Sequence, residues 1–364
     1  MVAPSQVILR FAGHADLRTR LVLSILTNTP VYISAIHCSE DDSVPGLTDF
    51  ELDFVSLLCL LTCSTHQVLH DGTALKFTPG PPTLNDVQHS CCPARSVGYY
   101  LEPLLLLSVF CEIHLELIGI TNDKTALSVD TLLGVHVPVL REFGVEPPVL
   151  TIHLRGAPPD GLGRVSLHSV PRLRPLRAPI LTTQAPTTHI RGTCYTSHIP
   201  PSLATDPITS ATALLKRTIP DVHITQCTLP TSSTPGYALT LTAHAEPHTT
   251  LSASCAFLPR PGQTDVTHPL PETLGIRTAR LLLQEMKKGG CVDKTAQGFV
   301  LVLLALAEGK GQVRVGGIEP LTIPLLTSLK TFLKTSISIA PDQSTRTFIL
   351  TGQGIAFIPR LHPL

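Results

Sequence analysis

The sequence predicts an α/β protein of α+β layers, with a repeated core and a smaller α/β unit inserted before the last repeat. Three observations carry this. Short strand-type runs alternate with apolar-periodic helical runs, the alternation restarts twice, and a stretch of different texture precedes its final appearance.

In the first unit, residues 7–11 read as a strand, 17–26 as a helix and 31–36 as a strand. A helix at 50–61 and strand-like segments near Val68 and at 74–78 follow. The second unit reads helix 94–110, strand 113–120, helix 129–143, and strands 150–154 and 165–169. The third has helices at 295–307 and 321–333, then strands at 336–339, 345–350 and 354–358. Between them, from Pro171 to about Pro271, the chain is rich in Pro, Thr, Ser and His. It still shows strand-like 192–199, 222–227, 237–244 and 251–257, with a helix at 210–218, so it reads as an inserted domain rather than a floppy linker. A proline-rich junction at 171–179 and a PRPG turn at 259–262 bound it. The expected divisions are 1–180 for repeats one and two, 181–272 for the insertion and 273–364 for repeat three.

Hydrophobic residues make up 43% of the chain and charged ones 15%, with mean hydropathy +0.26, the composition of a well-buried globular protein. The 27 Lys+Arg balance 27 Asp+Glu. A protein that grips bare nucleic acid by its phosphates carries a basic excess, so any RNA contact here is expected to be local. No charged and apolar leader pattern opens the sequence, and residues 101–120 carry Glu102, Glu112, His114 and Glu116, which argues against a membrane span. Ten cysteines lack zinc spacing; Cys59 and Cys63, one helical turn apart in LLCLLTC, read as buried free thiols in a reducing compartment.

The most informative stretch is Gly289-Gly290-Cys291-Val292-Asp293-Lys294-Thr295-Ala296-Gln297, between the helical run 270–288 and the apolar run 299–307. It resembles the segment of the RNA 3'-terminal phosphate cyclase superfamily in which an H-x-A-D-Q motif opens a helix. The histidine that becomes adenylylated in catalytic members corresponds to Asp293, and Gln297 keeps the last place. A carboxylate cannot replace an imidazole that attacks ATP through a neutral nitrogen. The opening turn resembles the family too, but where enzymes have E-G-G-G-Q this chain has Phe11 followed by Ala12, Gly13, His14 and Ala15. Without the glycines the backbone cannot approach a phosphate as closely, and without the carboxylate no hard-metal ligand is evident.

Collinear matches extend the resemblance from Phe11 to Phe357. Pro45-Gly46-Leu47 resembles the family's PGL, with Phe50-Glu51 where enzymes have Q-H. Gly98-Tyr99-Tyr100-Leu101-Glu102 matches the GYYLE of the non-cyclising, cyclase-like branch. Thr121-Asn122-Asp123 with Ser128-Val129-Asp130 matches TND…SVD, and Phe143-Gly144 ends the next helix. Arg155-Gly156-Ala157-Pro158-Pro159-Asp160-Gly161-Leu162-Gly163 resembles RRGxPPxGGGEV with one arginine, a glycine and the glutamate lost; Ser233-Thr234-Pro235-Gly236-Tyr237 resembles SPGFGL.

The resemblance implies three core repeats, each like the C-terminal domain of bacterial translation initiation factor three. It also implies a nucleolar ribosome-biogenesis factor of the small-subunit processome, required for pre-18S rRNA processing. The implied partners are a large nucleolar GTPase, pre-rRNA and small nucleolar ribonucleoprotein, with no cofactor, resident metal or membrane. Two rival readings stay open: an endonuclease acting on pre-rRNA, and a surviving 3'-phosphate cyclase.

Asp293 reads either as a helix N-cap or as a nuclease carboxylate, for which the nearest acid in sequence is Glu285. Gly289-Gly290 reads as a helix stop favoured by Lys287 and Lys288, or as a phosphate-binding turn. Arg155, Arg164, Arg172, Arg174 and Arg177, opposed within their stretch only by Asp160, form the clearest basic patch, for RNA phosphate or an acidic partner, or else a solvated junction. Lys330 and Lys334 are four apart, the spacing of one helix face, and complete the candidate contacts. Arg18 and Arg20, two apart, point to different faces, so one is expected to pair internally.

Overall fold

The computed structural model describes residues 7–39, 44–83, 85–159, 161–198, 200–228, 235–245, 249–257 and 270–358. The first repeat runs β1 (Leu9–Ala12), α1 (Leu17–Thr27), β2 (Val31–Ser34), α2 (Asp49–Leu61), β3 (Thr65–Leu69) and β4 (Ala74–Thr78). Helix α1 stops at Asn28, in the left-handed region, whose N–H turns back to the carbonyls of Ser24 and Ile25. Helix α2 starts at a capping box: the Glu51 carboxylate accepts the Thr48 backbone N–H at 2.9 Å and the Thr48 hydroxyl at 2.8 Å. It also takes the His37 ring at 3.0 Å, so the glutamate at the family's Q-H position has a structural duty.

The second repeat adds β5 (Asp86–Ser90), α3 (Val97–Ser108), β6 (Ile113–Gly119), a broken helix, β7 (Val149–Leu154) and β8 (Gly163–Ser169). The broken helix comprises α4 (Val129–Thr131), a π-helical turn (Leu132–His136) and α5 (Val137–Glu142). After β9 (Ile180–Leu181) comes the inserted unit: β10 (His189–Ser197), α6 (Pro201–Ala204), α7 (Asp206–Leu215), β11 (Val222–Thr228), β12 (Gly236–Ala245), β13 (Thr249–Phe257) and α8 (Pro271–Lys287). The chain finishes with α9 (Gln297–Leu306), β14 (Glu308–Val315), α10 (Thr322–Leu333), β15 (Ile337–Asp342) and β16 (Thr347–Ile355).

The repetition is exact in topology where it is faint in sequence. Each repeat is β-α-β-α-β-β, and its sheet has the order first, second, fourth, third: β1-β2-β4-β3, β5-β6-β8-β7 and β9-β14-β16-β15. In each, the first two strands are parallel and the other pairings antiparallel. One apolar core runs through all three repeats, joining Leu21 and Leu23 of α1, Leu104 and Leu105 of α3, and Val300 to Leu306 of α9. Helix α9 is buried on all sides, the condition of a helix that is apolar all round.

The structure revises several expected elements. Strand β14 follows α9 directly; its glycines and charges hide the alternation that buries Gly311, Val313 and Val315. Strands expected at 345–350 and 354–358 are the single β16, and β5 and β9 were not anticipated. The inserted helix lies at Asp206–Leu215, ahead of the expected 210–218. The division drawn at 272 falls inside α8, whose Leu274, Ala279 and Leu282 share the inserted unit's own core with Ile190, Leu215 and Leu241. At the other junction Ile180 and Leu181 pair with Gln312 and Val313, so the first strand of repeat three precedes the insertion. The PRPG turn and Ser233-Thr234 lie outside the described residues.

Candidate functional site

The segment after α8 is held by both the third repeat and the inserted sheet. Gly289 has φ 82° and stops the helix, as expected of a glycine just past a C-terminus. Cys291 donates its N–H to the Arg314 carbonyl at 2.9 Å, and Val292 bridges Thr250 of the inserted sheet to Val315 of repeat three. Asp293 follows, fully buried. One carboxylate oxygen accepts the Thr295 N–H at 3.0 Å, the Thr295 hydroxyl at 2.6 Å and the Ala296 N–H at 3.0 Å. The other accepts the Ser252 N–H at 2.8 Å and the Ser252 hydroxyl at 2.6 Å. Asp293 therefore caps the turn that leads into α9, which begins at Gln297, and also ties that turn to β13 across the insertion. Gln297 is a second clip: its amide donates to the Gly317 carbonyl and accepts from the Glu319 N–H and the Thr322 hydroxyl.

The altered opening turn is equally filled. Phe11 stacks on Phe332, with ring centroids 5.4 Å apart. Arg20, buried, lies over the Phe11 ring at 4.7 Å and donates to the Gly13 carbonyl and the Ser328 hydroxyl. His14 stacks face to face on His37 at 3.8 Å. Asp16, in the left-handed region at φ 63°, starts α1. Burial raises its carboxyl to about 6, against the lowering from hydrogen bonds to Thr19 and Ser328 and from the charges of Arg20 and Arg18.

These two segments meet. His14, Ala15 and Asp16 line the same hollow of about 660 Å³ as Lys294, Thr295 and Phe299. Arg18 enters it and is held there by Glu102 at 2.9 Å, by the Tyr99 carbonyl at 2.6 Å and by the Tyr99 ring at 4.3 Å. Arg18 and Arg20 thus both pair internally, where one was expected to. Beneath lies His136 on the π-helical turn, fully buried and edge-on to Phe299 at 5.1 Å. Burial lowers its pKa, partly offset by the charges of Glu102 and Asp293. A second hollow of about 630 Å³ continues past Lys294 and Thr295 to β13 and α8.

Of the expected arginine patch, Arg155 and Arg164 are taken by carboxylates, while Arg172 and Arg177 come together beside Gly144. Arg155 makes a bidentate pair with Asp130 at 2.7 and 2.9 Å, donates to the Tyr195 hydroxyl at 2.7 Å and lies over that ring, joining repeat two to the inserted sheet. Arg164 pairs with Glu116 at 2.8 Å. Arg172 donates to the carbonyls of Gly144, Arg174 and Pro175. Arg174 and Arg177 are exposed; Asp160 lies outside the described residues. Lys288 pairs with Glu285 at 2.7 Å and Lys287 is exposed. Glu285 also accepts the Lys294 N–H at 3.2 Å, so it caps rather than standing free. Lys330, in the last turn of α10, and Lys334, its left-handed cap at φ 57°, are both exposed.

The partners that sequence reasoning missed sit on other elements. Ser252, Tyr195 and Thr240, whose hydroxyl meets Ser128 at 3.2 Å, all project from the inserted sheet, and their only sequence signal was strand alternation. The ten cysteines are free. Cys63 is exposed and Cys59 half-buried, a correction to their reading as buried thiols, because helix α2 ends at Leu61 and releases Cys63 to the surface. Burial pushes the thiols of Cys111 and Cys194 up to about 12. Among the described residues no three His, Cys, Asp or Glu side chains converge to hold a metal, and no helix is long and apolar enough to cross a membrane.

Three β-α-β-α-β-β repeats around one core, with an inserted α/β unit clipped over the start of the third repeat's first helix, define the class of protein. The chain belongs to the RNA 3'-terminal phosphate cyclase family, whose model matches residues 9–339. It is 39% identical over 340 residues to an RNA 3'-terminal phosphate cyclase-like protein of Mus musculus, covering 91% of this chain and 90% of that protein. A probable cyclase-like protein of Arabidopsis thaliana is 35% identical over 371 residues, covering 96% and 98%. A protein of Schizosaccharomyces pombe described as an rRNA processing protein is 31% identical over 334 residues, covering 88% of each chain.

Proposed function

We propose that this chain is a non-cyclising member of its family that serves pre-18S rRNA processing in the nucleolus. It acts there within the small-subunit processome, by binding a large nucleolar GTPase and pre-ribosomal RNA. The observation that carries the non-cyclising reading is the state of Asp293. Its carboxylate accepts five hydrogen bonds from Ser252, Thr295 and Ala296 and is fully buried, so it holds two parts of the fold together instead of facing a nucleotide. The opening turn supports the same reading, since its side chains are packed on one another, Phe11 against Phe332 and Arg20, and His14 against His37.

The ribosomal role is supported by the rRNA processing relative and by the cyclase-like relatives that cover nearly the whole chain. The test is depletion of the protein in its own cells, with pre-18S intermediates measured and the nucleolar GTPase sought in a pull-down. Accumulated precursors with the GTPase recovered are the expected outcome; normal processing would remove the role. A metal-dependent nuclease uses two or more free acidic ligands, and the two acids of this segment, Asp293 and Glu285, are both engaged by the fold.

A further inference from the structure

The inserted sheet ends in an edge strand that the rest of the described chain covers only in part. In the order β11-β10-β12-β13, β13 has one strand neighbour. Its open side is met at Thr250 by Val292 and at Ser252 by the Asp293 carboxylate, which takes the Ser252 N–H. Backbone groups in an antiparallel pair alternate between the neighbour and the open side. Ser254 and Ala256 therefore present their N–H and C=O groups outward as Ser252 does, and these have no partner among the described residues. Ser254 is exposed and Ala256 half-buried.

This bare stretch is one wall of the hollow of about 630 Å³ noted above, which is also lined by residues 123–128 and by one side of α8. Lys124, Arg277, Lys288 and Lys294 line it. Lys288 is paired with Glu285, while Lys124, Arg277 and Lys294 have no carboxylate partner among the described residues. The other acid of the lining, Asp123, is consumed by the N–H groups of Ser96, Thr125 and Ala126. In a chain of formal net charge zero, this cleft is locally cationic.

We propose that the cleft takes an extended acidic polypeptide segment of a partner protein, added as a strand along Ser254 and Ala256 with its carboxylates against Lys124, Arg277 and Lys294. The proposal rests on the partner-binding reading above. An uncovered strand edge is a template for another strand, and its N–H and C=O groups match a peptide backbone. A nucleic-acid strand matches the charge but not that edge, and the one aromatic ring in the lining, Phe257, is 4% exposed and offers bases no open face for stacking.

The test uses the full chain and a fluorescein-labelled octapeptide of alternating Glu and Val, read by anisotropy. Its controls are the same peptide N-methylated at alternate residues and an octamer of uridylate. The expected result is binding of the octapeptide that N-methylation weakens by about tenfold or more, with slowed hydrogen exchange in β13. Lys124→Glu with Arg277→Glu should weaken it by at least about tenfold with the thermal midpoint unchanged. No octapeptide binding, indifference to N-methylation, or preference for the uridylate octamer lost in the charge-reversed variant would each overturn the proposal, the last in favour of RNA. Peptide binding alongside normal rRNA processing would remove the ribosomal role alone. A processing defect without peptide binding would remove the cleft proposal alone.

Discussion

Asp293→Ala should destabilise the protein well beyond the loss of a helix cap. The carboxylate accepts three backbone N–H groups, from Ser252 at 2.8 Å and from Thr295 and Ala296 at 3.0 Å, besides two hydroxyls. Hydroxyls can rotate to other acceptors; the three amides cannot. A buried donor left unmade costs about 1–3 kcal/mol, and water entering the vacated space recovers part of it. A loss of about 3–4 kcal/mol follows, against about 1 kcal/mol for an ordinary cap. Asp293→Asn should fall between, because its amide sets a donor against the Ser252 N–H. The assay is urea unfolding near neutral pH, with hydrogen exchange reporting β13, since a chain of this size can unfold in more than one step. A change below about 1 kcal/mol for the alanine variant, with β13 exchange unaltered, would refute the tie.

Three further outcomes follow from named contacts. The folded chain holds a proton on Asp16 up to about pH 6 that the unfolded chain releases near the ordinary carboxyl value of 3.8, so this group's share of stability falls as pH rises through that window. Asp16→Asn should match the parent near the bottom of the window and melt higher than it above pH 6; equal melting temperatures throughout would contradict the assignment. Arg155→Ala leaves Asp130, 13% exposed in its side chain, and the Tyr195 hydroxyl without their guanidinium. It should cost about 2–3 kcal/mol by denaturant unfolding and loosen the inserted sheet in hydrogen exchange. Gly98→Ala puts a Cβ 1.8 Å from the Leu127 carbonyl, so it should yield little soluble protein, whereas Gly309→Ala, with nothing within 4 Å, should express well despite its positive φ.

Elements with strong local periodicity were legible, and those defined by a distant partner were not. Helix α9 and strand β6 announce themselves by apolar runs and alternation. Strand β9 is two residues directly after the proline-rich junction, and only its pairing with β14 makes it a strand. Helix α8 has a clear amphipathic pattern, but the pattern does not say which core its apolar face enters, and it enters that of the inserted unit. The arginine run was legible only in part for a related reason: Asp130 and Glu116, which take Arg155 and Arg164, lie far from it in sequence. At Asp293 the cap could be read from its place before a helix. The bond to Ser252 spans 41 positions and a domain junction, so no local pattern encodes it.

Asp293, buried and bonded to Ser252, Thr295 and Ala296, is a structural tie and not a nucleophile. The most direct measurement is incubation of the purified chain with radiolabelled ATP and an RNA bearing a 3'-phosphate, followed by denaturing electrophoresis and analysis of the RNA end. The expected outcome is no covalent nucleotide on the protein and an unchanged 3'-phosphate. A labelled band or a 2',3'-cyclic end would contradict it.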